Sequence, residues 1–356
     1  MPLIDSIELT AIDLFSGSGA VTQGLKSEGF TVLAAVDVDS IACNTYRSNH
    51  PEVRLIEDDI RNVSVKKLFD EIQLLDQLDI LIVCAPCQPF SNHNKKRSLE
   101  DPRADLILES LKFIEAFQPR AVLFENVPGI VVNGPLHTLT TKLKSLGYFL
   151  GEPKTLNAAH YGVPQRRERC IMLAAKDRDI PHRFYDSITL QPRITVRQAI
   201  GNLRSLSVGE RDPADPLHFA RNHKPLALER LRHIPKDGGS RNALPAELEL
   251  ACHKGRKHDY TDVYGRMKWD DVAPTLTTGC TDISKGRYAH PLDDRAISLR
   301  EAALLQSFPH DYKFEGSSEQ IARQIGNAVP VAMIRALAAP LKDLIRTVRP
   351  MCSALN

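Results

Sequence analysis

Short apolar runs alternate with helical periodicities over the first 175 residues. The runs are Ile7–Phe15, Thr31–Val38, Val53–Ile56, Ile80–Cys84, Ala121–Phe124 and Cys170–Ala174. Between them the spacing changes to that of a helix. Ala104–Phe117, for example, puts Leu106, Ile107, Leu111, Ile114 and Phe117 on one face. Strands alternating with helices predict an α/β fold with a mostly parallel sheet covered on both faces.

The rhythm changes near Arg193. From there to about Pro291, Pro, Gly, His and Arg are frequent and no period is clean. Lys236-Asp237-Gly238-Gly239-Ser240 reads as a turn, and His253–His258 is a basic cluster. A smaller, irregular second domain is expected over 194–317, with a first domain built from 1–193 and 318–356. Leu299–Phe308 is predicted as a helix stopped by Pro309. Val331–Val348 is predicted as the last helix, broken or kinked at Pro340.

Composition narrows the picture. The 356 residues allow a sizeable core. A net charge of +2 means that any polyanion must be met by local basic surface, not by total charge. Asp5 and Glu8 oppose a secretory signal pattern, and no apolar run nears the roughly 20 residues that span a bilayer. Seven scattered cysteines suit a reducing compartment. A cytoplasmic location is expected.

Candidate chemistry gathers at the predicted strand ends. Asp13-Leu14-Phe15-Ser16-Gly17-Ser18-Gly19-Ala20 follows the first strand and opens a helix; its glycines let backbone turn tightly beside a ligand. Asp37 ends the next strand about 20 residues on, where an acidic residue commonly holds ribose hydroxyls. Asp59 closes the third. Thr22 stands where a nicotinamide-binding loop would want a third Gly, so these features indicate an adenosine-containing cofactor without saying which.

The fourth strand delivers Pro86-Cys87-Gln88-Pro89-Phe90-Ser91 to the rim where open α/β sheets bind ligands. Flanking prolines stiffen the backbone around the Cys87 thiol. Cys84 and Cys87 also make a C-x-x-C. A zinc site would need two further ligands, with only His93 near, and a thioredoxin-like pair would need no glycine loop. A buried inert thiol suits Cys84 better than Cys87. Glu125 ends the fifth apolar strand and is a candidate acid or base of raised pKa. In Gln165-Arg166-Arg167-Glu168-Arg169, strand alternation puts Gln165, Arg167 and Arg169 on one face; a solvated charge run is the plain alternative.

In this order, these segments together with Glu125-Asn126-Val127 and Gly326-Asn327-Ala328-Val329-Pro330 resemble the C5-cytosine DNA methyltransferase family, of bacterial restriction–modification type. Asp101-Pro102-Arg103 and Arg300-Glu301-Ala302 add to the likeness, which covers about residues 9–335 apart from the stretch near 204–270. Cys84, Ala85 and Ala20 depart from the family pattern, which favours Gly at all three places and allows Pro at the second.

The resemblance implies a seven-stranded, Rossmann-like methyltransferase sheet, a target-recognition domain, and S-adenosylmethionine as cofactor with no metal. Phe15 would pack on the adenine and Asp59 and Ile60 would contact it. Gly17 and Gly19 would admit the methionine portion, Asp37 would hold the ribose, and Ser16, Val38 and Pro86 would complete the contacts. Asn327 and Val329 would close the pocket. Cys87 would add to C6 of cytosine, which makes C5 nucleophilic. Glu125 would supply a proton at N3, Arg169 would hold O2 and Arg167 would brace the site.

The target base must leave the duplex stack. The loop Ser91–Arg103, with Lys95, Lys96 and Arg97, could close over the DNA. Gln88, Ser91, Asn126, Gln165 and Thr277 would contact substrate, and Arg256, Lys257, Arg266, Lys268 and Lys285 are candidate phosphate or base contacts. The expected partner is double-stranded DNA, met by a monomer. A cognate restriction endonuclease would act on the same site without a stable complex, and no membrane is involved. A tRNA cytosine methyltransferase and a catalytically silent scaffold of the same fold are the competing readings.

Overall fold

The computed structural model describes residues 8–72, 74, 76–86, 104–132, 134–254 and 261–348. They form two compact units. Unit 1 draws on Met1–Asn157, Glu168–Leu190 and Met333–Asn356, and unit 2 on Ala158–Arg167 and Gln191–Ala332.

Unit 1 is a sheet of eight strand segments: β1 (Leu9–Leu14), β2 (Phe30–Asp37), β3 (Arg54–Glu57), β4 (Ile80–Val83), β5 (Ala121–Asn126), β6 (Phe149–Leu150), β7 (Lys154–Asn157) and β8 (Glu168–Ala175). The order is β3-β2-β1-β4-β5-β8-β6, with β7 also on β8. The first five are mutually parallel. β8 runs antiparallel to β5, and β6 and β7 both pair antiparallel with β8. They share one edge place, so the eight segments fill seven positions.

The apolar runs became strands because Val, Ile, Leu and Ala residues are buried on both faces. Ile80, Leu81, Ile82 and Val83 are all fully buried. The core on one face joins Leu14, Val36, Val83 and Phe124 to Ile107, Phe113, Ile114 and Phe117. The helix predicted over 104–117 is two pieces, a 3-10 helix Ala104–Glu109 and an α-helix Ser110–Phe117. β6 and β7 escaped the sequence reading because one has two residues and the other, Lys-Thr-Leu-Asn, is a polar edge.

Unit 2 is mostly loop, with short helices. Three begin in capping boxes, Thr195 with Gln198, Ser298 with Glu301 and Ser317 with Gln320, which satisfy end donors that short helices can ill spare. The helix predicted to run to Phe308 ends earlier, at Leu305, where Gln306 caps it and Ser307 adopts φ 60°. Pro340 does not end the last helix, which spans Val331–Val348 with the proline inside it. Among the described residues no helix is long and apolar enough to cross a membrane.

Candidate active site

The register fixes where the chemistry lies. Leu14 pairs with Val36 and Val83, Val83 with Phe124, and Asp37 with Glu57, so the five parallel strands finish on one edge. Phe15–Gly19, Asp37–Val38, Asp58–Ile60, Cys84–Pro86 and Glu125–Asn126 therefore emerge together. β8 begins on that edge because it is antiparallel, with Cys170 opposite Asn126.

The glycine loop is tightly held. Phe15 has φ 62°, Gly17 φ 53° and Gly19 φ 91°, and Gly19 caps the helix Ala20–Ser27. Ser16 N–H donates to the Val36 carbonyl at 3.0 Å, and Gly17 N–H to Asp37 Oδ2 at 2.7 Å. Asp37 Oδ1 accepts from Asp39 N–H at 2.9 Å. Burial raises the Asp37 pKa above its ordinary value, against these hydrogen bonds. A Cβ on Gly17 would meet nothing within 4 Å, and the apolar side chain of Val38 is 67% exposed. Open space beside the loop and an uncovered apolar side chain after an acidic strand end fit an adenosine-containing cofactor.

Asp59 and Ile60 lie at the same edge. Asp59 caps the 3-10 turn Ile60–Asn62 and binds Arg61 through its backbone N–H, Nε and Nη2. Those hydrogen bonds hold its pKa down at about 2. Ile60 is buried, and Lys112 Nζ donates to the Ile60 and Arg61 carbonyls at 2.5 and 3.2 Å. Lys112 was missed in the sequence, where it is one polar residue of an amphipathic helix.

Glu125 and Asn126 end β5. Glu125 faces Ile171 across the ladder, and Arg169, two residues before Ile171, lies on the same face of β8. That diagonal brings Arg169 Nε to 2.7 Å from Glu125 Oε1. A guanidinium at this distance stabilises the carboxylate, against the burial that disfavours charge. Asn126 Nδ2 donates to the Ala85 carbonyl at 3.0 Å, tying β5 to the chain just after β4. Pro86 is partly buried there. Cys87, Gln88, Ser91 and the loop to Arg103 lie outside the described residues, as do Arg256 and Lys257. Cys84 is described: burial first, then Glu125 and Asp13, raise its thiol pKa, so it is a poor thiolate.

The remaining expected residues belong to unit 2. Gln165 is fully buried. Its amide donates to the Leu305 carbonyl and Gln306 Oε1 and accepts from Leu276 N–H, so both its protons are spent inside the unit instead of on DNA. Arg167 donates to the Leu276 and Gly326 carbonyls at 2.8 and 3.0 Å, bracing the segment 275–278 against the end of the helix Ser318–Asn327. Gly326 is obligatory there, since a Cβ would sit 2.3 Å from the Thr277 carbonyl carbon. The Tyr288 hydroxyl, unnoticed in the sequence, lies 3.0 Å from the Thr277 hydroxyl oxygen and donates to the Thr275 carbonyl at 3.1 Å. Asn327 is exposed and Val329 buried. Arg266 cannot contact DNA as expected: it is fully buried and donates to the Ile234, His290, Asp293 and Leu231 carbonyls and to Asp294. Lys268 and Lys285 are exposed.

A parallel sheet with an antiparallel partner, a glycine loop and acidic strand ends on one rim define a Rossmann-like methyltransferase. The family model of the C-5 cytosine-specific DNA methylases matches residues 9–343, and the chain belongs to that family. It is a DNA cytosine-5 methyltransferase, and family and fold imply use of S-adenosylmethionine. The chain is 39% identical to the Type II methylase M.HgiDII of Herpetosiphon aurantiacus, over 94% of this chain and 95% of that one. It is 33% identical to the Type II methyltransferase M.PspPI of Psychrobacter sp., over 97% and 83%. In fold it resembles a prophage-encoded DNA modification methyltransferase of E. coli (TM-score 0.75, 22% identity, 95% of this chain and 100% of that one). It also resembles the Dnmt2 methyltransferase of S. pombe (TM-score 0.63, 19% identity, 95% and 100%).

Proposed function

We propose that the chain methylates C5 of one cytosine within a specific sequence of duplex DNA, through covalent addition of Cys87 to C6 of the extruded base. The observation that supports this most is the Glu125–Arg169 pair at 2.7 Å on the strand-end rim, with Asn126 anchoring the chain two residues before Cys87. S-adenosylmethionine, when bound, supplies an electrophilic methyl group. Phe15–Gly19, Asp37, Val38, Asp59, Ile60 and Pro86 would hold it.

The chain's own residues do the rest. Cys87 adds as thiolate to C6 and makes C5 enamine-like. Arg169 turns from Glu125 to the cytosine O2, which raises the proton affinity of the freed carboxylate; it takes a proton from solvent and passes it to N3 as charge develops. The C5 proton passes to a base such as water, and as Cys87 leaves as thiolate by elimination, N3 returns its proton to Glu125. Unit 2 carries the residues that read sequence, with Lys268 and Lys285 among its exposed cations. The Type II names of the relatives support a restriction–modification setting. There the enzyme works as a cytoplasmic monomer and shares its site, not a complex, with an endonuclease.

Bisulfite sequencing of DNA from cells expressing the chain tests this and reads the target sequence. Protected cytosines in one motif, lost with Cys87→Ala, are expected. Protection retained in Cys87→Ala would sink the covalent mechanism, and labelling of tRNA without duplex DNA would move the substrate to RNA.

A further inference from the structure

Beneath the glycine loop lies a buried polar network with no part in the mechanism above. Asp13, Thr22, Tyr46 and His50 are each at most 1% exposed. Thr22 Oγ1 donates to Asp13 Oδ2 at 2.9 Å and accepts from the Tyr46 hydroxyl at 2.7 Å. Tyr46 packs edge-on against His50, ring centroids 5.0 Å apart. His50 Nε2 lies 3.1 Å from the Gly19 carbonyl, which can only accept, so Nε2 carries the proton. Nδ1 lies 3.3 Å from the Lys26 ammonium, which can only donate, so Nδ1 is bare. Lys26 is itself ion-paired to Glu52. Both neighbours thus select one neutral tautomer.

The Gly19 carbonyl is a sensitive place to hold. It accepts from Gln23 N–H at 2.8 Å to start the helix, and Gly19 N–H donates to the Ser16 carbonyl at 3.0 Å to close the loop. Its φ of 91° is one that only glycine adopts without strain. A glycine free to leave that conformation would carry Ser16–Ser18 with it. His50 therefore holds the loop at Gly19, two residues on from Gly17, where a Cβ would meet nothing within 4 Å.

We propose that His50 is a positioning residue for the cofactor: its Nε2–H fixes the Gly19 carbonyl and with it the loop that receives the methionine portion of S-adenosylmethionine. The inference rests on the reading of Phe15–Gly19 as the cofactor cradle. Lys26 acts one step further out, by keeping the proton on Nε2.

The test compares His50→Gln with His50→Met in the full chain. The two side chains match in length, and only Gln carries a donor near the Nε2 position. Calorimetry would measure the affinity for S-adenosylhomocysteine and, separately, for duplex DNA, alongside Tm without ligand. Loss of one buried hydrogen bond predicts about five- to tenfold weaker cofactor binding in His50→Met. His50→Gln should recover most of it, and DNA affinity should stay within twofold. Equal affinity in wild type and His50→Met overturns the inference. Equal losses in Met and Gln variants overturn it too, because packing and not the donor would then matter. If His50→Met fails to fold, His50→Phe takes its place. A wild type that binds neither S-adenosylhomocysteine nor S-adenosylmethionine overturns the cradle reading itself, a result separate from the other two.

Discussion

Among the described residues, each unit holds a largely buried arginine–glutamate pair, and the two are built differently. In unit 2, Arg295 and Glu301 are 1% exposed and meet through two parallel contacts of 2.7 and 2.8 Å. Glu301 also accepts from Ser298 N–H as half of a capping box, and Arg295 adds Asp293 and the Leu206 and Ala296 carbonyls. Arg295 and the capping bond hold the Glu301 pKa at about 2 against burial. In unit 1, Arg169 meets Glu125 through an Nε contact of 2.7 Å, and its side chain remains 12% exposed. Its Nη1 donates to the neighbouring Glu168 carbonyl. A closed pair with every partner in place fixes a fold. A pair that meets through Nε, with its arginine partly exposed, can open to a substrate and move a proton.

The largest effect should come from breaking the open pair. Glu125→Gln keeps the shape and removes the proton donor, so turnover should fall by about 10²–10⁴-fold, the usual range for a lost general acid. Single-turnover methylation with labelled cofactor measures it, with Tm as control. A loss below tenfold would remove Glu125 from the acid role, and a large fall in Tm would make it structural like Glu301.

Next comes the closed pair. Glu301→Gln takes the two-contact partner from buried Arg295 and leaves it Asp293, which should cost about 3 kcal/mol of stability, the lower end of the range for breaking a buried ion pair. Urea unfolding gives the number. A cost under 1 kcal/mol would mean that Asp293 alone satisfies Arg295, and the contrast between the pairs would weaken.

The units also differ in their response to acid. Burial pushes His290 in unit 2 down to about 4, and His50 in unit 1 likewise. A histidine depressed from 6.5 contributes fully above pH 6.5, and that contribution is lost as pH falls toward 4. Unit 1 offsets part of this through Asp13, which burial raises to about 7. Its contribution has the opposite sign, present at acid pH and lost as pH rises toward 7. His290→Asn tests unit 2, because Asn Oδ1 can take the place of Nδ1, which accepts from Leu292 and Asp293 N–H. Between pH 7.5 and 5 the variant should lose about 2 kcal/mol less than wild type. Identical pH slopes would show that His290 is not the group being titrated.

What the sequence revealed divides along the same line. Unit 1 was legible because buried parallel strands write continuous apolar runs, and because the chain puts its chemistry at their ends: Asp37, Cys84–Pro86 and Glu125 all sit where the runs stop. β6 and β7 left no such mark. Unit 2 was hard to read because loops held by side chain–carbonyl bonds have no period. Arg266 looked like a surface cation in a basic stretch, yet it binds four carbonyls and a carboxylate. Its buried neighbours Tyr264, Gly265 and Met267 were the available signal. Gln165 misled similarly: an amide beside three arginines reads as a ligand contact, but it braces Leu276. Tyr288 could not be found at all, since its tie to Thr277 exists only across the folded loop.

The smallest effect tests that correction. Lys285 is exposed, and its stem lies over Gly279, beside the segment that Arg167 and Tyr288 hold. If its ammonium neutralises one phosphate, Lys285→Ala should make the slope of log K against log salt shallower by about 0.9. Arg266→Lys should leave that slope unchanged while lowering stability, because its charge faces carbonyls and Asp294. Affinity for duplex DNA across a salt series separates the two. A changed slope in Arg266→Lys would return that arginine to the DNA surface. An unchanged slope in Lys285→Ala would leave the phosphate contacts to other cations of the chain.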